Sequence, residues 1–296
     1  MASLATALVL VAATLWGCNG LFVSYLTAAG LQSAQFTAVR FVAAAVVAVA
    51  ICLVRDRRSL VVGKRELGWL VLNGAVGAFA FGLTYTFAIQ LTGMATAAVL
   101  IYLMPSFVMA WSVVVGGEKL TGRKVICLAL SLLGCALVSG LASGGLAVSL
   151  AGVAMGVLSA LFYTLNNLVQ GGPLRKMDPL AVAALTLVFA ALAASAYALA
   201  TTGMSGAAEV FAARPDALLI NVLFGVVCSV ATFFAYNLAL RYIPASRASV
   251  FATFEPVAAA ILGAAVLGDA LTPGMVAGIA CEVGALALMQ VSPSEG

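Results

Sequence analysis

Long apolar runs, separated by short polar segments, dominate this chain of 296 residues and limit what it can fold into. A helix needs about 20 consecutive apolar residues to cross the hydrocarbon core of a bilayer. The chain has ten such runs, and it lacks the alternating pattern that a membrane β-barrel requires. We therefore predict an all-α integral membrane protein with spans near 4–27, 33–54, 67–89, 94–115, 123–142, 147–170, 179–202, 217–240, 246–267 and 272–291.

Composition excludes most other protein classes. Hydrophobic residues make up 64% of the chain and charged residues only 8%, whereas soluble domains carry roughly a quarter charged residues. No His is present, and the six cysteines lie in apolar runs without a CxxC pair. We expect no catalytic residues, no metal and no cofactor. The N-terminal run has no basic leader and is too long for a signal peptide, so it is predicted to be the first span.

The basic residues predict how the spans are oriented. With the N-terminus in the cytoplasm, twelve of the fourteen Lys and Arg residues fall in cytoplasmic loops, where such residues concentrate. Arg214 falls outside, and Arg40 lies within the second span. The prediction is a multi-pass protein of the cell (cytoplasmic) membrane with both termini in the cytoplasm. Its expected partners are the bilayer and a small-molecule substrate, with no nucleic acid; a homodimer is an open alternative.

The third to fifth spans recur as the eighth to tenth, 151 positions later. The matching pairs are Tyr85 and Tyr236, Pro105 and Pro256, Glu118 and Asp269, and, at a spacing of 147, Asn19 and Asn166. We infer two units, 1–142 and 147–291, of five helices each. Because five is odd, the second unit is inverted in the membrane relative to the first. Inverted repeats are typical of secondary transporters, in which the two halves exchange conformations.

In order and spacing, these residues resemble the EamA-type branch of the drug/metabolite transporter superfamily. The resemblance is carried by residues 15–17 (LWG), 38–41 (AVRF), 103–105 (LMP), 117–121 (GEKLT), 254–258 (FEPVA) and 268–272 (GDALT). It implies a ten-helix carrier that works by alternating access, with a cavity between the first, third, fourth, sixth, eighth and ninth helices. Two residues depart from the family: Asp269 replaces the usual Glu, and Glu282 stands in a normally apolar stretch.

Polar and aromatic residues on the expected cavity helices are the candidates for substrate binding. They are Trp16, Asn19, Tyr85, Tyr102, Tyr163, Asn166, Tyr236 and Asn237. Aromatic residues also form cores and interface belts in membrane proteins, and Asn pairs helices about as often as it binds solute. The repeat favours the cavity for the Tyr85 and Tyr236 pair and for the Asn19 and Asn166 pair.

Three ionisable residues are predicted inside the spans, where charge is costly and usually functional. Arg40 either has a structural role or binds a carboxylate or phosphate. Glu255 either carries a proton beside the helix break at Pro256 or is a structural hydrogen-bonding group. Glu282 is a proton or cation site or, as we favour, a polar contact to a neighbouring helix or subunit. The candidates for gates and helix ends are Pro105, Glu118, Pro256 and Asp269.

The predicted function is a secondary transporter that exports an amino acid, a metabolite or an amphipathic drug. The alternatives are a non-transporting receptor or assembly subunit and a membrane-embedded enzyme. An enzyme is disfavoured because the chain lacks His and paired carboxylates. A retinal protein is excluded because every Lys lies in a loop, and a channel fits the inverted halves less well.

Overall fold

The structure is a computed structural model that describes residues 2–92, 94–139, 149–267 and 271–290. Within these residues all regular structure is helical, which confirms the predicted fold class. Nine of the described helical stretches are long and apolar enough to cross a membrane. In chain order they are Ser3–Ala28, Ser33–Leu60, Lys64–Thr92, Thr96–Val114, Leu150–Gly171, Pro179–Thr201, Pro215–Leu240, Ala245–Val266 and Pro273–Gln290. The fifth predicted span is the helix Gly122–Val138, and its predicted end lies outside the described residues.

The observed spans differ from the sequence prediction mainly at the connections between spans. The second span continues through a 3₁₀ turn, Arg57–Leu60, and the third begins at Lys64, so residues expected in a loop are helical. A short helix, Ser205–Ala213, joins the seventh span to the eighth. Long basic side chains can extend a helix past the apolar core because they keep their charges in water.

Large apolar side chains cover the outside of the bundle. Val46, Leu133, Leu192 and Val276 are each more than half exposed. A water-soluble protein of this size rarely exposes such extensive apolar surface, whereas lipid tails cover it at no cost. The surface therefore agrees with a multi-pass membrane protein.

Helix contacts between the halves follow the internal repeat. The second span contacts the seventh, and the fifth contacts the tenth, so each pairs with its own counterpart. The first span contacts the eighth, and the third contacts the sixth. These last two contacts are equivalent in the repeat, because the first span corresponds to the sixth and the third corresponds to the eighth. A pseudo-two-fold axis between the halves explains all four contacts, as expected for inverted repeats.

The fourth and ninth spans are broken at equivalent places. The breaks separate Met94–Ile101 from Met104–Val114 and Ala245–Ala252 from Glu255–Leu262. A proline is the second residue of each segment after the break, Pro105 in the fourth span and Pro256 in the ninth. Because proline has no N–H and clashes with the preceding turn, it interrupts the helical hydrogen bonds. The first span is likewise interrupted, at Cys18.

The third and eighth spans each contain a π-helical segment. The segment is Asn73–Ala80 in the third span and Val226–Ala231 in the eighth. A glycine near the start of each lies against a neighbouring backbone. A Cβ on Gly74 would lie 2.5 Å from the Thr186 carbonyl oxygen, and one on Gly225 would lie 2.6 Å from the Arg40 carbonyl oxygen. These glycines, 151 positions apart, allow the close helix approach that directs both π-helical segments inward. Such segments are frequent at functional sites.

Candidate functional site

A central cavity of about 80 Å³ lies in the middle of the bundle. Its lining residues are Trp16, Asn19, Arg40, Phe41, Gly77, Ala78, Phe81, Tyr163, Asn166, Cys228, Phe233 and Glu255. They come from the first, second, third, sixth, eighth and ninth spans. The resemblance placed the fourth helix at the cavity, but among the described residues the second span takes that place. The second span lies close to the eighth at Gly225, where an added Cβ would lie 2.6 Å from the Arg40 carbonyl oxygen.

Three repeat-related pairs line the cavity together. Tyr163 lies 147 positions after Trp16, and Asn166 lies 147 positions after Asn19. Cys228 lies 151 positions after Gly77, and both belong to the π-helical segments. The cavity is therefore built around the pseudo-two-fold axis, with both halves contributing equivalent walls.

Aromatic rings form one side of the cavity. The Tyr163 ring stacks on Phe81 with 4.7 Å between centroids and meets Trp16 edge-on at 6.4 Å. Trp16 also contacts the ring of Tyr236 at 5.6 Å. Rings held by one another offer a rigid apolar surface, and aromatic pairs of this geometry contribute about 0.5–1.5 kcal/mol beyond their burial.

Arg40 brings a positive charge to the cavity from the second span. Its guanidinium carbon lies 4.4 Å from the centroid of the Phe224 ring and 4.7 Å from that of Phe41. Its buried Nε has no hydrogen-bond partner among the residues that the structure describes. Neither does Arg40 form an ion pair within the described ranges. The guanidinium is positioned by aromatic rings while its donors remain available for an anionic group.

Glu255 brings a carboxyl group to the same cavity from the ninth span. It is the first residue of the helical segment after the break, beside Pro256. Carboxylates are favourable at a helix N-terminus, where free N–H groups carry positive partial charge. Arg40 and Glu255 thus line one cavity but are not within ion-pair distance of each other. The two ionisable side chains make the otherwise symmetric walls of the cavity chemically different.

Two amides complete the polar lining. Oδ1 of Asn19 and Nδ2 of Asn166 are buried, and neither has a hydrogen-bond partner in the described part of the chain. Gln170 donates to Oδ1 of Asn166 at 2.8 Å and so fixes its orientation. Buried polar atoms are normally paired. An unpaired acceptor and an unpaired donor at equivalent positions of one cavity are typical of a site that binds a polar molecule.

The profile of the EamA-like transporter family matches residues 3–140 and 150–291. The chain belongs to the EamA-like transporter family. An uncharacterized transporter of Archaeoglobus fulgidus is 28% identical over 202 residues, 68% of this chain and 69% of that protein. The uncharacterized inner membrane transporter YicL of Salmonella typhimurium is 25% identical over 268 residues, 89% of this chain and 87% of that protein.

A solved crystal structure shares the fold. It has a TM-score of 0.81 and 21% sequence identity, and the match covers 97% of this chain and 96% of that chain. Family and fold together confirm the resemblance found in the sequence. This EamA-like protein is a multi-pass membrane transporter, and the family match and the transporter named YicL favour transport over enzymatic activity.

Half of the predicted substrate residues of this EamA-like transporter line the cavity, and half lie behind it. Tyr85 and Tyr102 belong to an apolar cluster with Tyr163. Tyr236 is buried and donates a hydrogen bond to Oδ1 of Asn167. The Asn237 side chain donates to the Pro179 carbonyl oxygen at 3.4 Å. These four support the wall rather than form it, and their cavity role stays a prediction.

The predicted gate and helix-end residues occupy different places. Pro105 and Pro256 lie at the helix breaks. Glu118 forms an ion pair with Lys124 at 3.2 Å and accepts hydrogen bonds from Ser246 at 2.8 and 2.9 Å, so it links the fourth-to-fifth loop to the ninth span. Asp269 lies outside the described residues.

Glu282 lies away from the cavity, fully buried between the tenth span and its neighbours. It accepts hydrogen bonds from Ser131 in the fifth span and Thr253 in the ninth. Glu282 therefore makes polar contacts to two other helices, and the choice between a packing role and a proton or cation site stays a prediction.

Sequence reasoning missed half of the cavity lining, namely Phe41, Gly77, Ala78, Phe81, Cys228 and Phe233. Apolar residues in membrane helices carry no signal that separates a cavity wall from a lipid-facing surface. For Gly77 and Cys228 the available signal was their position three residues after Gly74 and Gly225, which share the 151-residue spacing.

Proposed function

We propose that this EamA-like transporter is a secondary carrier that exports a small organic zwitterion, such as an amino acid, through the central cavity. The observation that carries the proposal is the presence of Arg40 and Glu255 in one cavity without an ion pair between them. Export is the direction that the family resemblance favours. A non-transporting receptor or assembly subunit and a membrane enzyme are the competing functions.

Each end of a zwitterion has a matching group in the cavity. The planar guanidinium of Arg40 suits a carboxylate, which it can bind through two parallel hydrogen bonds. Glu255 suits an ammonium group. The rings of Trp16, Phe81 and Tyr163 suit an apolar or aromatic side chain between or beside the two charges. Charges paired in this way inside a membrane protein cost less than charges left alone.

The size of the cavity supports alternating access. A volume of about 80 Å³ is far below the roughly 300–1,000 Å³ of typical small-molecule sites. A solute can enter only after the helices that line the cavity separate. The breaks in the first, fourth and ninth spans and the π-helical segments are the places where such movement costs least, since fewer helical hydrogen bonds must break there.

We place the carrier in the cell (cytoplasmic) membrane with both termini in the cytoplasm. The basic loops support this orientation. In that orientation Glu118 and Ser246 meet on the cytoplasmic side, and Tyr25, Arg214 and Asp216 meet on the outer side. A homodimer is compatible with the exposed apolar surface, and the 1–142 and 147–291 units are the proposed repeats.

Ligand-induced stabilisation of the purified protein tests the zwitterion directly. Phenylalanine, its methyl ester and its N-acetyl derivative serve as matched probes, because the ester lacks the carboxylate and the acetyl derivative lacks the ammonium group. A ligand that binds only the folded state raises the melting temperature. We expect that phenylalanine alone stabilises the unaltered protein. Arg40→Ala should respond equally to phenylalanine and its methyl ester, because the group that binds the carboxylate is gone. Glu255→Gln should respond equally to phenylalanine and its N-acetyl derivative, because the group that binds the ammonium is gone. Equal stabilisation by all three probes would contradict the proposal.

A further inference from the structure

Glu282 lies in a closely packed interface between the fifth and tenth spans. A Cβ on Gly134 would lie 3.0 Å from the Glu282 backbone nitrogen, and one on Gly278 would lie 2.7 Å from that of Val138. The fifth and tenth spans therefore touch through their backbones. Ser131 and Glu282 are repeat equivalents, 151 positions apart, and meet at this contact near the pseudo-two-fold axis, where the Ser131 hydroxyl lies 3.2 Å from Oε1 of Glu282.

The polar partners of Glu282 are all neutral. The Thr253 hydroxyl lies 2.5 Å from Oε1, and the Cys135 thiol lies 3.9 Å from Oε2. No Lys or Arg forms an ion pair with Glu282 within the described ranges. A fully buried carboxylate without a counter-charge costs several kcal/mol, whereas the neutral acid avoids this cost. The environment is suited to a carboxyl group that gains and loses a proton.

The other charged and titratable groups of the adjoining helices are few. Cys135 faces Glu282 from the fifth span, and Glu255 follows two residues after Thr253 in the ninth. The cations lie at helix ends: Lys124 pairs with Glu118, and Arg247 donates to Gln290, eight residues beyond Glu282. Arg123 also lies at the start of the fifth span.

Thr253 connects Glu282 to the broken ninth span. It is the residue that follows the segment Ala245–Ala252, at the break itself. Its hydroxyl lies within hydrogen-bond distance of the Val250 carbonyl oxygen and Oε1 of Glu282, and it accepts a hydrogen bond of 2.8 Å from the Ser131 hydroxyl. A hydroxyl has one proton to donate. With Glu282 neutral, the acid donates to Thr253, and Thr253 donates to Val250. With Glu282 ionised, Thr253 donates to Glu282 instead, and Val250 loses this bond.

We propose that Glu282 is a proton-binding site outside the cavity, and that its protonation sets the conformation of the ninth-span break through Thr253. The proton comes from water and is held on the Glu282 carboxyl group. The break positions Glu255 in the cavity, so the site would couple proton binding to the solute site. This coupling rests on the proposed transport function, but the protonation and its effect on the ninth span do not.

Two solute-free readouts test the proposal on the full chain in lipid nanodiscs. Infrared difference spectra report a titrating carboxyl group through its C=O band. Fluorescence reports the ninth span through Trp16, which lies in the span that contacts both of its segments, after Trp69→Phe and Trp111→Phe. All fluorescence variants carry Glu255→Gln so that the cavity carboxyl group does not contribute.

We expect a titrating carboxyl band that survives Glu255→Gln and is lost in Glu282→Gln, and a pH-dependent fluorescence step that Glu282→Gln also abolishes. Thr253→Val should keep the infrared band and lose the fluorescence step, whereas Thr253→Ser, which keeps the hydroxyl, should keep both. A band that remains in Glu282→Gln, or a step that follows sodium concentration rather than pH, would overturn the proposal. If the infrared band and the fluorescence step are present but the protein moves no solute, only the transport proposal is contradicted. If the protein moves solute but shows neither signal, only the proton-site proposal is contradicted.

Discussion

Arg40 of the second span stacks on Phe224 of the eighth, with 4.4 Å between the guanidinium carbon and the ring centroid. The equivalent place in the other half holds a hydrogen bond of 3.2 Å from Asn73 to Thr186. One helix contact has thus been built twice, as a neutral hydrogen bond in one half and as a cation on a ring in the other. The second version brings Arg40 to the lining of the cavity.

Replacing Phe224 by Leu should weaken solute binding without unfolding the protein. The ring holds the guanidinium by a cation–π contact of about 0.5–2 kcal/mol, so we expect a roughly two- to thirty-fold rise in Kd for phenylalanine. Thermal stabilisation over a range of ligand concentrations measures this change. Phe211→Leu, in the same apolar cluster, is the control. Equal effects of the two changes would show that the ring acts only as part of the core.

Gly278→Ala should lower the melting temperature by disturbing the fifth and tenth spans. The new Cβ would lie 2.7 Å from the Val138 nitrogen and 2.8 Å from the Gly134 carbonyl oxygen, and neither backbone atom can turn aside. Overpacking of this kind costs about 1–3 kcal/mol. On the same helix, a Cβ added to Gly284 would have no heavy atom of another described residue within 4 Å, so Gly284→Ala should be neutral. Equal melting temperatures of the two variants would contradict the close backbone packing of the fifth and tenth spans.

Tyr236→Phe should destabilise the protein more than Tyr85→Phe. The Tyr236 hydroxyl donates to Oδ1 of Asn167 in the buried wall of the cavity, and a buried acceptor that loses its donor costs about 1–3 kcal/mol. The Tyr85 hydroxyl makes no hydrogen bond within the described part of the chain, although the two tyrosines are repeat equivalents. Chemical denaturation in mixed micelles compares them. A larger loss in Tyr85→Phe would show that the hydrogen bond contributes little.

Cysteine labelling should place the loop after the second span in the cytoplasm. A membrane-impermeant maleimide added to intact cells should label Ser205→Cys, because Ser205 is exposed at the start of the short helix between the seventh and eighth spans. The same reagent should leave Arg57→Cys unlabelled until the cells are opened. The unaltered chain, whose described cysteines are buried or partly buried, controls for background. The reverse labelling pattern would invert the topology inferred from the basic loops.

The positions of the spans could largely be predicted from the sequence, because the bilayer sets the length of each span and the charge of the loops. Apolar runs and basic residues predicted the spans, and the pair Pro105 and Pro256 marked two helix breaks. The start of the third span at Lys64, rather than near 67, was missed because basic side chains extend a helix into water without any change of hydropathy.

Residues of the site could be predicted only where their side chains differ chemically from those that face lipid. Arg40, Glu255, Asn19 and Asn166 stand out because polar groups are costly in a membrane. Gly77 does not stand out, since its importance comes from a helix contact: a Cβ there would lie 3.0 Å from the Asn166 Cβ. Such contacts depend on how distant helices meet, which residue types alone do not encode.

Counterflow in proteoliposomes measures whether the protein moves a zwitterion across the membrane. Vesicles loaded with unlabelled phenylalanine should accumulate labelled phenylalanine when they contain the unaltered protein. Arg40→Lys keeps the charge but loses the paired donors, so its initial rate should fall at least about tenfold, which corresponds to roughly 1.4 kcal/mol. Arg57→Lys, in the exposed 3₁₀ turn Arg57–Leu60, should match the unaltered protein. Counterflow that is unchanged in Arg40→Lys, or absent from the folded unaltered protein with every zwitterionic amino acid, would contradict the account.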